Sequence, residues 1–100
     1  MRLTAADHVL INGLAIIASP RRYPSDPADV AMIAAIIGEA LPRISHADPA
    51  IAALAAVARQ VVAHPPHHPS DRLVFVAEAA MDGWHRARMA AAIEHLRRAA

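Results

Sequence analysis

Apolar residues recur at helical spacing over four stretches of the chain, each introduced by a capping residue and the first three closed by proline or serine. In the first stretch, Leu3, Leu10, Leu14 and Ile17 share one stripe, Val9, Gly13 and Ile16 a second, and Ile11 a third. Thr4 supplies the cap and Ser19–Pro20 the stop, so a helix is predicted over 4–18. The second begins with Asp26 at the N-cap and Pro27 at the first helical position, and ends near Leu41, before Pro42. It places Val30, Ile33, Ile36, Ile37, Ala40 and Leu41 on one wide face and Ala31, Ala35 and Gly38 on the other. Asp48 and Pro49 repeat the device for a third helix ending near His64, with Ile51, Leu54, Val57, Ala58, Val61 and Val62 inward. The two starts share the letters Asp-Pro-Ala, but the apolar positions after them fall at different offsets. They are two similar caps and no internal repeat.

The last stretch starts at Ser70 or Asp71 and stays helical to about Arg98. Its apolar phase changes part-way. Leu73, Ala77, Ala80, Met81 and Trp84 lie on one stripe, while Met89, Ala92, Ile93 and Leu96 lie on another rotated by roughly 120°. Gly83 sits between them, which predicts a kink or short break near 82–84 and hence two helices. Residues 73–76 alone resemble a strand, but one strand has nothing to pair with. The expected fold is all-α, a small four- to five-helix bundle forming a single domain over residues 1–100.

Composition reinforces this reading. Twenty-six of the 100 residues are alanine, the best helix former, and only 30 are large hydrophobes, so the private core is modest. The first helix is apolar nearly all the way round, which suits a helix buried on every side. It must sit at the centre of the bundle or be covered by another chain. The expectation is self-association as a homodimer through Val9, Leu10, Leu14, Ile16 and Ile17, joined by the small-residue face of the second helix.

The formal charge of +1 generates no field that would by itself draw nucleic acid or a membrane. All ten cations are arginine, which excludes Schiff-base lysine chemistry and a phosphate-loop lysine. Abundant Arg and Ala without Lys fit a GC-rich bacterial genome. The absence of cysteine excludes disulfides and thiolate zinc sites and fits a reducing compartment. Met1, Arg2 and Leu3 run straight into the Thr4 cap without the pattern of a signal peptide, and the apolar run 9–18 is about half a bilayer span. A cytoplasmic location is expected.

Candidate chemistry is sparse. His64, His67 and His68, with Asp71 nearby, suffice in number for a weak open zinc or nickel site. They lie in a proline-stiffened loop with no fixed facing, and a wet polar loop with His64 at a helix C-terminus is the preferred reading. Ser45, His46 and Asp48 have the residue types of a nucleophilic triad, but such groups converge from separate elements. Gly13, Gly38 and Gly83 are isolated, so no dinucleotide or phosphate loop can be drawn. Glu39, Glu78 and Glu94 fall on outer faces or near helix ends. Neither an enzyme nor a cofactor is expected.

Arginine remains. Arg86, Arg88, Arg97 and Arg98 crowd the last helix, and Arg21 and Arg22 beside Tyr23 offer a second patch. Arginine anchors protein interfaces and binds phosphate. Glu94 with Arg98, and Asp82 with Arg86, have the spacing of surface ion pairs. No helix-turn-helix can be read across 41–49, because the connection is long and the next helix offers alanine where base-reading groups belong. Trp84, with Arg88 one turn on and able to lie over its ring, reads as a core anchor or an interface hot spot. The functional expectation is a regulator or adaptor that docks onto or occludes a partner protein, using Trp84, Arg86, Arg88, Arg21 and Arg22. The alternative is a nucleic-acid-associated regulator using the arginines of the last helix.

Overall fold

Each helix begins where a capping side chain turns back onto the first backbone N–H groups. In the computed structural model, which describes residues 3–45 and 48–99, Thr4 Oγ1 accepts the Asp7 N–H at 3.1 Å and Asp7 Oδ2 accepts the Thr4 N–H at 2.9 Å. This reciprocal box opens α1 (Ala5–Ile17). Asp26 accepts from Ala28 at 2.9 Å to start α2 (Pro27–Ala40), which tightens into a 3₁₀ turn (Leu41–Arg43) as Pro42 ends it. Asp48 accepts from Ala50 at 2.9 Å to start α3 (Pro49–Ala63). Asp71, rather than Ser70, caps α4 (Arg72–Ala99), accepting the Leu73 N–H at 2.9 Å. No strand occurs among the described residues, and 73–76 is the first turn of α4.

The expected break near Gly83 is absent: α4 runs through it as one helix, so the bundle has four helices and the 3₁₀ turn. A glycine costs a helix interior about 1 kcal/mol relative to alanine, too little to interrupt a 28-residue helix. A Cβ added there meets nothing within 4 Å, so packing does not require the glycine either.

Helices α1 and α2 run antiparallel, as do α3 and α4. The start of α1 (Thr4, Ala5) shares a hollow with the end of α2 (Glu39, Ala40), and the end of α3 (Gln60, His64) lies beside the start of α4 (Asp71, Arg72). Helix α1 packs against each of the other three. Its Leu10, Leu14 and Ile17 are fully buried, together with Ile37, Ile51, Leu54, Val61, Val74 and Ala77. The thin residues allow close approach. A Cβ on Gly13 would stand 2.8 Å from Ile37 Cγ1, and one on Gly38 3.3 Å from Val62 Cγ1. The small face expected of α2 is therefore in use at Gly38, against α3, while Ala31 and Ala35 face water.

One face is rotated from the expectation. Helix α2 buries Val30, Ala34, Ile37 and Ala40, and Ile36, assigned to the core by its spacing, is exposed.

Candidate interaction surfaces

Beyond Trp84, helix α4 leaves the bundle. Every residue from 85 to 99 is exposed, so this segment is an arm of about 22 Å at 1.5 Å per residue. It accounts for the elongated outline of 49 × 27 × 16 Å. The second apolar stripe of the sequence lies along it, with Met89 63%, Ile93 45% and Leu96 67% exposed. Arg86 and Arg97 flank one side of the stripe by helical phase and Arg88 the other. Arg98 points away and pairs with Glu94 at 3.4 Å. Among the described residues, Asp82 and Arg86 do not close to ion-pair distance.

Trp84 marks where the arm begins. Its indole is 9% exposed and belongs to the bundle core, its edge meets His85 with ring centroids 5.1 Å apart, and Arg88 lies over the ring at 4.9 Å. The surface beside it is a hollow lined by Asp48, Ala50, Ala87, Arg88, Ala91, Ala92 and His95.

A second apolar surface follows the seam between α1 and α2. Val9, Ile16, Ile33 and Ile36 line it with Asn12 and Gly13, and Val9, Ile16 and Ile36 are 37%, 44% and 47% exposed. Of the five residues expected to mediate self-association, Val9 and Ile16 are open here, whereas Leu10, Leu14 and Ile17 are enclosed by their own chain. The first helix is thus central and still leaves one edge uncovered.

The arginines expected to share one rim do not meet. Arg88 stands at the base of the arm, beside the start of α3, and Arg86 lies on the other side of that base by helical phase. Arg21 and Arg22 belong to the loop next to Tyr23, whose hydroxyl donates to the Pro66 carbonyl at 2.6 Å at the other end of α3, about 22 Å away. Burial, and then the Asp71 carboxylate, raise the Tyr23 pKa above its ordinary value, keeping the phenol protonated as the donor. Pro66 is fully buried under this contact. His64, His67 and His68 are exposed around it, and His68 Nδ1 accepts the Ser70 N–H at 3.1 Å. Among the described residues no three His, Asp or Glu side chains gather as a metal site. His46, the middle member of the Ser45, His46 and Asp48 trio, lies outside the described residues, as do Met1 and Arg2.

Asp7 is the one fully buried charged side chain among the described residues. Besides closing the box with Thr4, its Oδ1 accepts the Ser45 N–H at 2.8 Å, tying the α2–α3 connection to the start of α1. Burial alone would raise its pKa, but the Ser45 N–H and then the Thr4 N–H and hydroxyl outweigh it, with the His8 charge adding, so the value falls below 3.8. The Thr-x-x-Asp spacing signals such a box in sequence; the bond to Ser45 has no local signal. Asp7→Ala is expected to lose about 2–3 kcal/mol at neutral pH through the two acceptors removed. Because the folded pKa is the lower one, this contribution is full above the unfolded value of about 3.9 and fades as pH falls through the folded value. Urea midpoints measured from pH 7 to pH 2 are expected to converge for the two proteins at the acid end.

Comparison with known proteins finds no matching family, no similar curated protein and no similar solved structure. No helix among the described residues is long and apolar enough to cross a membrane. No buried side-chain nitrogen or oxygen among them lacks a hydrogen-bond partner, so no orphaned polar group points toward a reacting molecule.

Proposed function

We propose that this chain is a non-enzymatic, protein-docking regulator or adaptor, cytoplasmic and bacterial, that works as a homodimer. The arm carries this reading. Met89, Ile93 and Leu96 form a solvated apolar stripe on a helix that its own bundle does not need. Apolar centres with arginine at the rim match the anatomy of protein interfaces. Arg86 and Arg88 then orient a partner at the base of the arm, with Trp84 holding that base rigid from inside. Arg21 and Arg22, at the far end, belong to a separate contact.

The test is affinity capture from the native host with the natural chain and with an Arg86→Glu, Arg88→Glu chain. Both changes fall on exposed positions, so circular dichroism should report unchanged folding. A protein retained by the first and lost by the second supports the reading, and identical captures overturn it. Nucleic-acid association is the second reading, favoured by four arginines on the arm against one glutamate. Their scatter around the helix weakens it, since phosphate contacts want one face. A labelled duplex that fails to bind at low salt removes it, and a steep loss of affinity with added salt supports it.

A further inference from the structure

We infer that the arm of α4 lies in the α1–α2 groove of a second copy, and that the second copy returns its own arm to the first. The inference rests on the homodimer reading above and gives that dimer its contact surfaces.

Among the described residues, the arm and the α1–α2 seam present unpartnered apolar surfaces that fit each other in length and pattern. Met89 and Leu96 are seven residues apart, as are Val9 and Ile16, so both ridges run about 10.5 Å along a helix axis. Met89 and Ile93 repeat the four-residue spacing of Met32 and Ile36, and Met32 and Ile36 are both exposed on α2. The arm as a whole, residues 85–99, is as long as the hairpin it would cover, since α1 has 13 residues and α2 has 14.

Charge selects the pairing. The arm carries four arginines and one glutamate, so two arms laid side by side would bring like charges together. Helices α1 and α2 contain no arginine, and α2 exposes Asp29 and Glu39; arginines stand only at the ends of the hairpin among the described residues, Arg43 beside Glu39 and Arg21 with Arg22 in the α1–α2 loop. A basic arm is therefore attracted to this hairpin and repelled by its own kind.

Area agrees. Seven exposed side chains (Met89, Ile93, Leu96, Val9, Ile16, Met32 and Ile36) each leave on the order of 100 Å² in water, so two reciprocal contacts remove about 1,400 Å². Stable specific interfaces bury about 1,200–2,000 Å². The arm continues α4 past the bundle as one unbroken helix, which keeps it from folding back onto its own groove. A reciprocal exchange between two copies satisfies both surfaces and closes the assembly at two.

The experiment uses the full chain and two double variants at exposed positions, Ile93→Glu with Leu96→Glu on the arm and Ile16→Glu with Ile36→Glu in the groove. Solution mass is measured by sedimentation for each alone and for an equimolar mixture, with circular dichroism confirming the folds. The natural chain is expected at twice the monomer mass and each variant as a monomer. The mixture is expected to regain dimer at reduced affinity, because one natural arm then meets one natural groove. Since the sequence has no cysteine, Ile93→Cys on one chain and Ile16→Cys on another should also form a mixed disulfide on mild oxidation. A groove variant that stays dimeric means that arms pair with arms, and an arm variant that stays dimeric means that grooves pair with grooves. Either result overturns the exchange and leaves the homodimer standing. A monomeric natural chain overturns both, while partner capture through the arm remains a separate measurement.

Discussion

Trp84→Ala should cost this protein about 3–5 kcal/mol, the usual range for removing a buried aromatic from a core. Such a loss is a large fraction of the 5–15 kcal/mol by which small domains are held folded. The reason lies in how thin the rest of the core is. Ala34, Ala55, Ala58 and Ala77 are all buried, and of the other two aromatic residues Tyr23 is half-buried and Phe75 is exposed. Trp84 is therefore the one aromatic ring in the closely packed interior, and no neighbour has the bulk to collapse into its space. Phe75→Ala is the matched control, at an exposed position outside the contacts proposed for the arm. It removes a large side chain from the same helix, but from water, and its effect should stay within about 0.5 kcal/mol. Urea unfolding of the three proteins decides the matter, and equal midpoints for the two variants would mean that the indole does not hold the core.

The second large effect is expected at Gly13. Alanine improves intrinsic helix propensity by about 1 kcal/mol over glycine, and on that ground alone Gly13→Ala would stabilise α1. The added Cβ, however, falls 2.8 Å from Cγ1 and 3.1 Å from Cδ1 of Ile37, a fully buried side chain without room to retreat. Separating α1 from α2 by the required fraction of an ångström disturbs every contact along their seam. A net loss of about 1 kcal/mol is expected for Gly13→Ala and about 3 kcal/mol for Gly13→Val. Gly83→Ala should move the other way, gaining about 0.5–1 kcal/mol, because nothing lies within 4 Å of its Cβ position. Thermal midpoints should therefore shift in opposite directions for the same chemical change at two helix-interior glycines, by about 4–8 °C per kcal/mol. Shifts of the same sign would contradict the close approach at Gly13.

The helix boundaries were legible because they are written in local chemistry. The pairs Asp26–Pro27 and Asp48–Pro49 act within three residues of themselves, and the structure uses both aspartates as caps. The phase change in α4 was legible too, but its meaning was not. Two stripes rotated by roughly 120° look like a bend when both are assumed to face one core. Here the first stripe faces α1 and α3, while Met89, Ile93 and Leu96 of the second are exposed, so the helix stays unbroken while its surroundings change. Periodicity reports that a face is apolar and is silent about what covers it. The same limit explains Ile36, which has core spacing but sits on the open side of a seam drawn tight by Gly13. It also explains Arg21 and Arg22, whose distance from Arg86 and Arg88 is set by the length of α3 lying between them. The link from Asp7 to Ser45 crosses 38 positions of sequence and follows only from the way the helices stack.

The arm gives the abundance of alanine a purpose besides close packing. Ala87, Ala90, Ala91, Ala92 and Ala99 have no interior to fill, yet they favour helix where no tertiary contact enforces it. Cut loose, a piece of this length would be only marginally ordered in water, because its first turn is so costly to form. Attached at Trp84, it inherits a turn already made. Its reach is consequently a thermal variable. Where no partner covers it, warming is expected to fray the rod from its outermost turns inward before the bundle beneath it melts.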